Sequence, residues 1–473
     1  MTLEAALAEN KRLKQELTLL RQQLEWLKKH HFGSGKSEKL AKGQLPLGLE
    51  ETVASEVLLT SQVSSHERHA RKPQLSKQEA YEHLPVEKTI IIDPDEVKKA
   101  PAAYEQIGQE SSFELGIKAP KLYRIETIRR KYRLKADKSH PPLIAPAPKR
   151  PVQGIASVSL LTHILLSKYV DHLPLYRQEK MLRRYGVALS RQNMVNWVTQ
   201  VAQWLKPIYN HMREELTKGD YLQIDETPIK VLDPDSEQKK IRQGWLWPIS
   251  RPGADVLFSW SVTRSSEHLE KLLKGFKGYL QSDGYCAYGK YINEREAIVP
   301  VGCMAHARRK FKEAEKEGEM PLSILKLFAK LYVVEKQLHS AHHEEVNTVR
   351  QTVSLPIMQE LYQTVMAARK DVLPQSLTGK ACDYTLGQWS NLKTYLDDGR
   401  LSIDNNLIEN AIRPSAIGKK NWMFIGHPRA GERSAIIYSI VVSCQRHNIH
   451  VVDYLNDVLT QVPYLVKIGR AHV

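Results

Sequence analysis

The change of pattern at Asp220 restricts the fold more than any other feature of the chain. Before it, apolar residues recur with a helical period. After it come short apolar runs of strand length. Residues 221–225 (YLQID) form a strand that ends in Asp225. Residues 244–250 (GWLWPIS) and 255–262 (DVLFSWSV) lie close enough to pair as an antiparallel meander. Residues 265–276 (SSEHLEKLLKGF) read as a helix, with Ser266 as the expected cap and Glu267 in its first turn. A fourth strand, 278–283 (GYLQSD), ends in Asp283. A fifth, 295–303 (REAIVPVGC), leads into the helix 305–316 (AHARRKFKEAEK).

Three strands, helix, strand, helix, strand is the layout of a ribonuclease-H-like α/β domain. Its first part is expected over 218–320. Residues 321–400 are helical throughout, longer than that layout needs, and read as a helical insertion. The core resumes over 401–450 with LSIDNNLIENAIRP, a helix that carries Glu409. Residues 451–473 read as a tail whose last residues, IGRAHV, resemble translated adapter sequence, so the natural C-terminus is expected to be missing.

Upstream, the chain is expected to be multidomain. Residues 1–30 carry a heptad, with Leu3, Asn10, Leu17 and Leu24 at a and Ala6, Leu13, Leu20 and Leu27 at d. One Asn at an a position favours a registered dimeric coiled coil; an amphipathic helix packed on its own chain shares the pattern. The GSGKS that follows at 33–37 imitates a phosphate-binding loop. It lacks the first glycine and the preceding strand, so it terminates the helix instead. Residues 31–80 are a polar linker. Residues 81–150 are expected to form a small β-rich module, with a basic stretch that includes Arg129 and Arg130. That stretch suits DNA phosphates or a solvated strand face. Residues 155–215 are helical, with a turn at Gly186 and a cap at Ser190. This is helix-turn-helix-like, and Gln192, Asn193 and Asn196 would present short polar groups to base edges. Ordinary helix pairs look similar.

The formal charge of +16 favours a polyanionic partner. No run is long and apolar enough for a membrane span, and the first thirty residues are charged throughout, so a cytoplasmic protein is expected. Four widely spaced cysteines make no disulfide framework. The chemistry is then carried by acids. Asp225 and Asp283 end strands 58 residues apart, and Glu409 lies on a helix 126 residues further on. Three convergent carboxylates suit hard divalent cations such as Mg²⁺ and hence phosphodiester chemistry. Glu226 rivals Asp225, and Asp404 rivals Glu409.

The strings IDETPIKV, QSDGYCAY, CMAHARRKF and SIDNNLIENAIRPSAIGKKNWMFIGHPRAGERSA resemble the insertion sequence 66 family of bacterial DDE transposases over about residues 155–450. The resemblance implies catalytic, metal-binding roles for Asp225, Asp283 and Glu409. It implies Mg²⁺ (or Mn²⁺), double-stranded DNA as substrate at transposon ends and target, and accessory proteins from the same element. Cys303 and His306 fit a C-x-x-H element seen after the second Asp in such enzymes; a zinc reading would need two more ligands, none obvious nearby, so a structural role near the site is expected. Arg308, Arg309, Lys419 and Lys420 become candidates for DNA phosphates. One departure is the cysteine-rich zinc module of relatives, whose position at 81–150 holds no cysteine here. The rival reading is an inactive or truncated copy that dimerises and occupies DNA ends.

Overall fold

The computed structural model describes residues 148–233 and 241–465, with short pieces at 122–123, 125–129, 131–132 and 143–144. The expected coiled coil, the linker, most of the 81–150 module and Arg130 lie outside the described residues. Within the module, Lys131–Tyr132 (β1) and Leu143–Ile144 (β2) pair antiparallel.

A mixed sheet carries the fold. Its strands are Tyr221–Ile224 (β3), Thr227–Leu232 (β4), Ile241–Ser250 (β5), Leu257–Ser261 (β6), Gly278–Gln281 (β7) and Ile298–Val301 (β8). β5 is long enough to pair with β4 through one part of its length and β3 through the other, with β6 antiparallel on its opposite side. β7 then runs parallel to β3, and β8 parallel to β7. β3 is buried at all four positions, as a central strand covered on both faces must be.

β4 is a strand that the sequence reading missed. Pro228 sits inside it, and proline normally argues against a strand. Here the chain kinks at Asp225 and Glu226 and β4 resumes against β5, with Ile229 and Val231 inward and Pro228 and Lys230 exposed. The kink does not break the ladder, because the Asp225 N–H donates to the Pro248 carbonyl (3.3 Å).

Helices cover the sheet. Val158–Tyr169 (α1), Leu175–Arg184 (α2) and Arg191–Thr217 (α3) precede it. Gly186 takes φ +78° between α2 and α3, and the Ser190 hydroxyl accepts the Asn193 N–H at the start of α3, as the turn and cap required. Ser266–Leu272 (α4) begins one residue earlier than expected. Its cap position is Ser265, whose hydroxyl lies 3.1 Å from that of Thr263 rather than on the helix. Cys286–Asn293 (α5) and Met304–Glu313 (α6) flank β8.

The helical insertion is Glu319–Gln337 (α7), His343–Val349 (α8), Leu355–Asp371 (α9), Leu377–Gly387 (α10) and Trp389–Lys393 (α11). It shares a core with α6, including Phe311, Phe328, Leu331 and Leu361, which reaches the sheet through Tyr221 and Val301. Asn406–Trp422 (α12), Pro428–Arg446 (α13) and Val451–Leu465 (α14) close the fold. α14 occupies the segment expected to be a tail. Leu455 and Leu459 are fully buried, and the Thr162 hydroxyl of α1 donates to Asn456 (2.8 Å).

Edge strand β6 is shielded by α13. The hydroxyls of Ser439 and Ser443, one helical turn apart, accept the N–H groups of Phe258 (2.8 Å) and Val256 (2.9 Å). Donors that would otherwise template intermolecular pairing are thereby satisfied. α1, α3 and α13 share one apolar core with the sheet.

Gly278 opens β7 at φ +119°, and a Cβ there would stand 2.1 Å from the Asp220 carbonyl oxygen. Gly278→Ala is therefore expected to destabilise the protein by about 3 kcal/mol or more, combining backbone strain with a backbone clash. Denaturant unfolding checks this; an unchanged midpoint would contradict the close approach.

Candidate active site

The site is built on strand register. Tyr221, Leu222 and Gln223 of β3 face Tyr279, Leu280 and Gln281 of β7, an offset of 58 residues (281 − 223). Asp225 and Asp283 share that offset (283 − 225) and follow the last paired residues by two positions each. Two adjacent parallel strands thus deliver their acids at one level, at their C-terminal ends, where open α/β sheets place ligands.

Behind the acids lies a buried amide cluster. Gln223 and Gln281 are fully buried. Gln281 Oε1 accepts from Gln223 Nε2 (2.8 Å) and from the Tyr221 hydroxyl (2.6 Å). Their remaining donors reach across to the chain that leads into α12 and to Gly302, just after β8. Gln281 Nε2 donates to the carbonyls of Ser402 (2.8 Å) and Gly302 (3.0 Å), and Gln223 Nε2 to that of Asp404 (3.1 Å). The Ser402 N–H returns a bond to the Tyr221 hydroxyl (3.1 Å). Glu409, in the first turn of α12, is carried to the two aspartates by this cluster. The sequence held a signal for it, since both strands spell Tyr-Leu-Gln-x-Asp. Each Gln precedes its Asp by two positions and so lies on the same face of its strand.

Arg350 secures the same segment from the insertion. It is 2% exposed, lies in a single π-helical turn, Arg350–Ser354, and is paired with Glu335 by two bonds of 2.9 and 2.7 Å. Its other donors hold the carbonyls of Tyr395 (2.8 Å), Asp398 (3.0 Å) and Leu401 (2.9 Å), immediately before Ser402. The Tyr384 hydroxyl of α10 likewise holds the Asp283 carbonyl (2.6 Å).

The electrostatics are those of crowded acids. Burial first, and then the neighbouring Glu226 carboxylate, push the Asp225 carboxyl well above the ordinary range. Asp283 and Glu409 add to the rise, and only the Glu226 N–H, donating to Asp225 Oδ1 (2.8 Å), opposes it. Both rival acids are otherwise engaged. Glu226 is buried, ion-paired with Arg264 (Nε at 2.8 Å), and accepts the Tyr288 hydroxyl. Asp404 accepts from the Tyr332 hydroxyl (2.8 Å) and from the Asn406 N–H (3.0 Å).

The basic candidates separate. Arg309 donates to Glu409 Oε2 (3.1 Å), while the Arg308 guanidinium stacks over Tyr332 (5.3 Å). Lys419 is turned inward, where Nζ donates to the Thr227 hydroxyl and the Pro228 carbonyl (both 3.0 Å). Burial, and then Lys420, lower its pKa. Lys420, Arg129, Gln192, Asn193 and Asn196 are exposed, with Gln192 Nε2 bonded to Asn196 Oδ1 (3.1 Å). Cys303 occupies the position before α6 without a side-chain cap bond, and His306 Nδ1 lies 3.6 Å from Glu409 Oε1.

A carboxyl whose pKa is raised on folding is penalised once it ionises. Stability therefore falls as pH rises from the ordinary carboxylate range through the raised value of Asp225. Asp225→Asn removes that penalty. In chelator at neutral pH it should be more stable than the wild type by about 1 kcal/mol, as function-limiting charges often allow. The difference should vanish below about pH 4, where both folded and unfolded carboxyls are protonated. Thermal unfolding across pH checks this, and an equal or lower midpoint at neutral pH would contradict it.

Comparison with known proteins gives this geometry a family. Residues 153–433 match the model described as Transposase IS66 family. Uncharacterized protein y4jD of Sinorhizobium fredii (strain NBRC 101917 / NGR234) is 34% identical over 398 residues, 80% of this chain and 77% of its own. Uncharacterized protein y4qI of the same organism is 31% identical over 390 residues, 79% of this chain and 72% of its own. The matched span contains both strand-end aspartates, the insertion and Glu409, and the chain belongs to the IS66 family of transposases.

Proposed function

We propose that the chain is a DDE-type transposase that cuts DNA at transposon ends and joins them to target DNA, with Asp225, Asp283 and Glu409 as its catalytic triad. The observation that carries the reading is the shared register of Asp225 and Asp283, with Glu409 tied to the same two strands through Gln223 and Gln281. The strand arrangement, antiparallel β6, β5 and β3/β4 followed by parallel β7 and β8, supports a ribonuclease-H-like core. Family membership supports DNA as the substrate.

The residues present suit Mg²⁺, with Mn²⁺ as a substitute. The donors are all carboxylate oxygens, the preference of hard cations. The neighbouring carboxylates also raise the cost of ionising Asp225, a repulsion that a cation would relieve. Bound by Asp225, Asp283 and Glu409, divalent cations would supply Lewis-acid stabilisation of phosphodiester charge and an activated water. The chain's own part is positional: the strands and the amide cluster hold the acids at one level. Arg309 pairs with Glu409 Oε2, while Glu409 Oε1 lies 3.6 Å from His306 Nδ1. Water would first cut the end to free a 3′-hydroxyl, and that hydroxyl would then attack target DNA.

In this reading the groups at the start of α3 (Gln192, Asn193 and Asn196), with Arg129 and Lys420, would meet DNA, and their exposure supports it. Lys419 holds α12 to β4 instead. Assembly through the 1–30 heptad, help from proteins encoded by the same element, and a site of action in the bacterial cytoplasm complete the proposal. No helix among the described residues is long and apolar enough to cross a membrane.

Nicking of a duplex bearing a transposon end tests the triad. Asp225→Asn, Asp283→Asn and Glu409→Gln should each cut at least about 10²–10³-fold more slowly in Mg²⁺, the usual loss for removing a transition-state stabiliser. Binding to the same duplex should survive. Wild-type cutting by any of the three would overturn the assignment.

A further inference from the structure

Cys303, His306 and Glu409 converge at the junction of two helix starts. Each offers one ligand atom, and these atoms all lie within 4.8 Å of one another. The convergence is held by backbone. The Met304 N–H, at the start of α6, donates to the Ile403 carbonyl just before α12 (3.1 Å), and the Asn405 N–H reaches Cys303 Sγ (3.5 Å). His306 lies in the first turn of α6 and Glu409 in the first turn of α12, and the two side chains meet at the junction.

Two observations mark these groups as under-used. His306 Nδ1 and Glu409 Oε1 are buried atoms with no hydrogen-bond partner, although they stand only 3.6 Å apart. Asn405 is fully buried, and neither atom of its side-chain amide has a partner. Buried polar atoms normally find partners, and clusters of orphans point to an absent ion or water. The bonds of the other Glu409 oxygen, to Arg309, leave Oε1 available.

We propose that Cys303, His306 and Glu409 bind a thiophilic divalent cation of the zinc class. The set of one sulfur, one imidazole nitrogen and one carboxylate oxygen is the mixture such ions take, whereas Mg²⁺ selects oxygen alone. Tetrahedral bonds of about 2.0–2.3 Å separate ligand atoms by roughly 3.3–3.8 Å, so the 3.6 Å Nδ1–Oε1 spacing already fits, and the other spacings, all within 4.8 Å, exceed that range by at most about 1 Å. Binding removes the thiol proton from Cys303 to solvent and forms the metal–sulfur bond. A fourth position remains for water, since the side chains of His306 and Glu409 are 21% and 26% exposed. Arg309, bonded to the second Glu409 oxygen, orients the carboxylate from outside. Glu409 is shared with the proposed triad, but the cation site does not depend on that role.

Co²⁺ binding to the full chain tests this, because thiolate ligation produces a near-ultraviolet charge-transfer band that oxygen ligands do not. The wild type should show that band and lose it when Zn²⁺ is added. Cys303→Ser should lack it, and His306→Ala should weaken Co²⁺ binding at least tenfold. Zn²⁺ should raise the unfolding midpoint of the wild type more than that of Cys303→Ser, which keeps the test informative if a variant is less stable. Asp225→Asn should keep the band while losing Mg²⁺-dependent cutting, so the two sites can fail separately. Absence of the band in the wild type, its persistence in Cys303→Ser, or its loss in Asp225→Asn would overturn the proposal.

Discussion

Everything at the site depends on the hydrogen bond between two buried glutamines. Gln223 and Gln281 stand side by side on parallel strands, and their 2.8 Å bond leaves further donors to catch the backbone of 402–404. Buried amides are costly unless satisfied, and here most of their capacity is met by groups far apart in sequence. Only Gln223 Oε1 lacks a partner. The cluster therefore does more than fill space between β3, β7 and the insertion. It fixes the height of the strand-end aspartates relative to the first turn of α12.

The helical insertion gains a purpose from the same contacts. About ninety residues separate the end of α6 from the return at Ser402 (402 − 313 = 89), and a loop of that length would leave Glu409 loosely placed. Instead the insertion builds a core with α6 and uses Arg350 to seize three carbonyls just before Ser402. Arg350 is itself neutralised by Glu335, as a buried guanidinium must be. The crowded acids are held close by this framework in spite of their repulsion, a pattern expected where stability is given up for chemistry.

Much of this was legible in the chain. The strands that end before Asp225 and Asp283, the helices between α6 and Ser402 and the helix bearing Glu409 follow from local pattern. What local pattern missed was decided by distant partners. β4 exists because β5 is long enough to pair with it beyond the kink, which outweighs Pro228. The helix over Val451–Leu465 is held by α1, nearly three hundred residues away. Glu226 and Asp404 looked equal to Asp225 and Glu409 until Arg264, Tyr288 and Tyr332 were seen to occupy them. Lys419 looked like a surface cation until Thr227 and Pro228 were found on its Nζ. The glutamines were visible in the repeated Tyr-Leu-Gln-x-Asp, but their role needs the 58-residue register to be understood.

The central claim is that strand register gives Asp225 and Asp283 a common cation. Mn²⁺ binding followed by electron paramagnetic resonance, without DNA, measures this directly. The wild type is predicted to bind Mn²⁺, and Asp225→Asn and Asp283→Asn each to lose at least tenfold in affinity. Mn²⁺ affinity left unchanged by either substitution would contradict the claim.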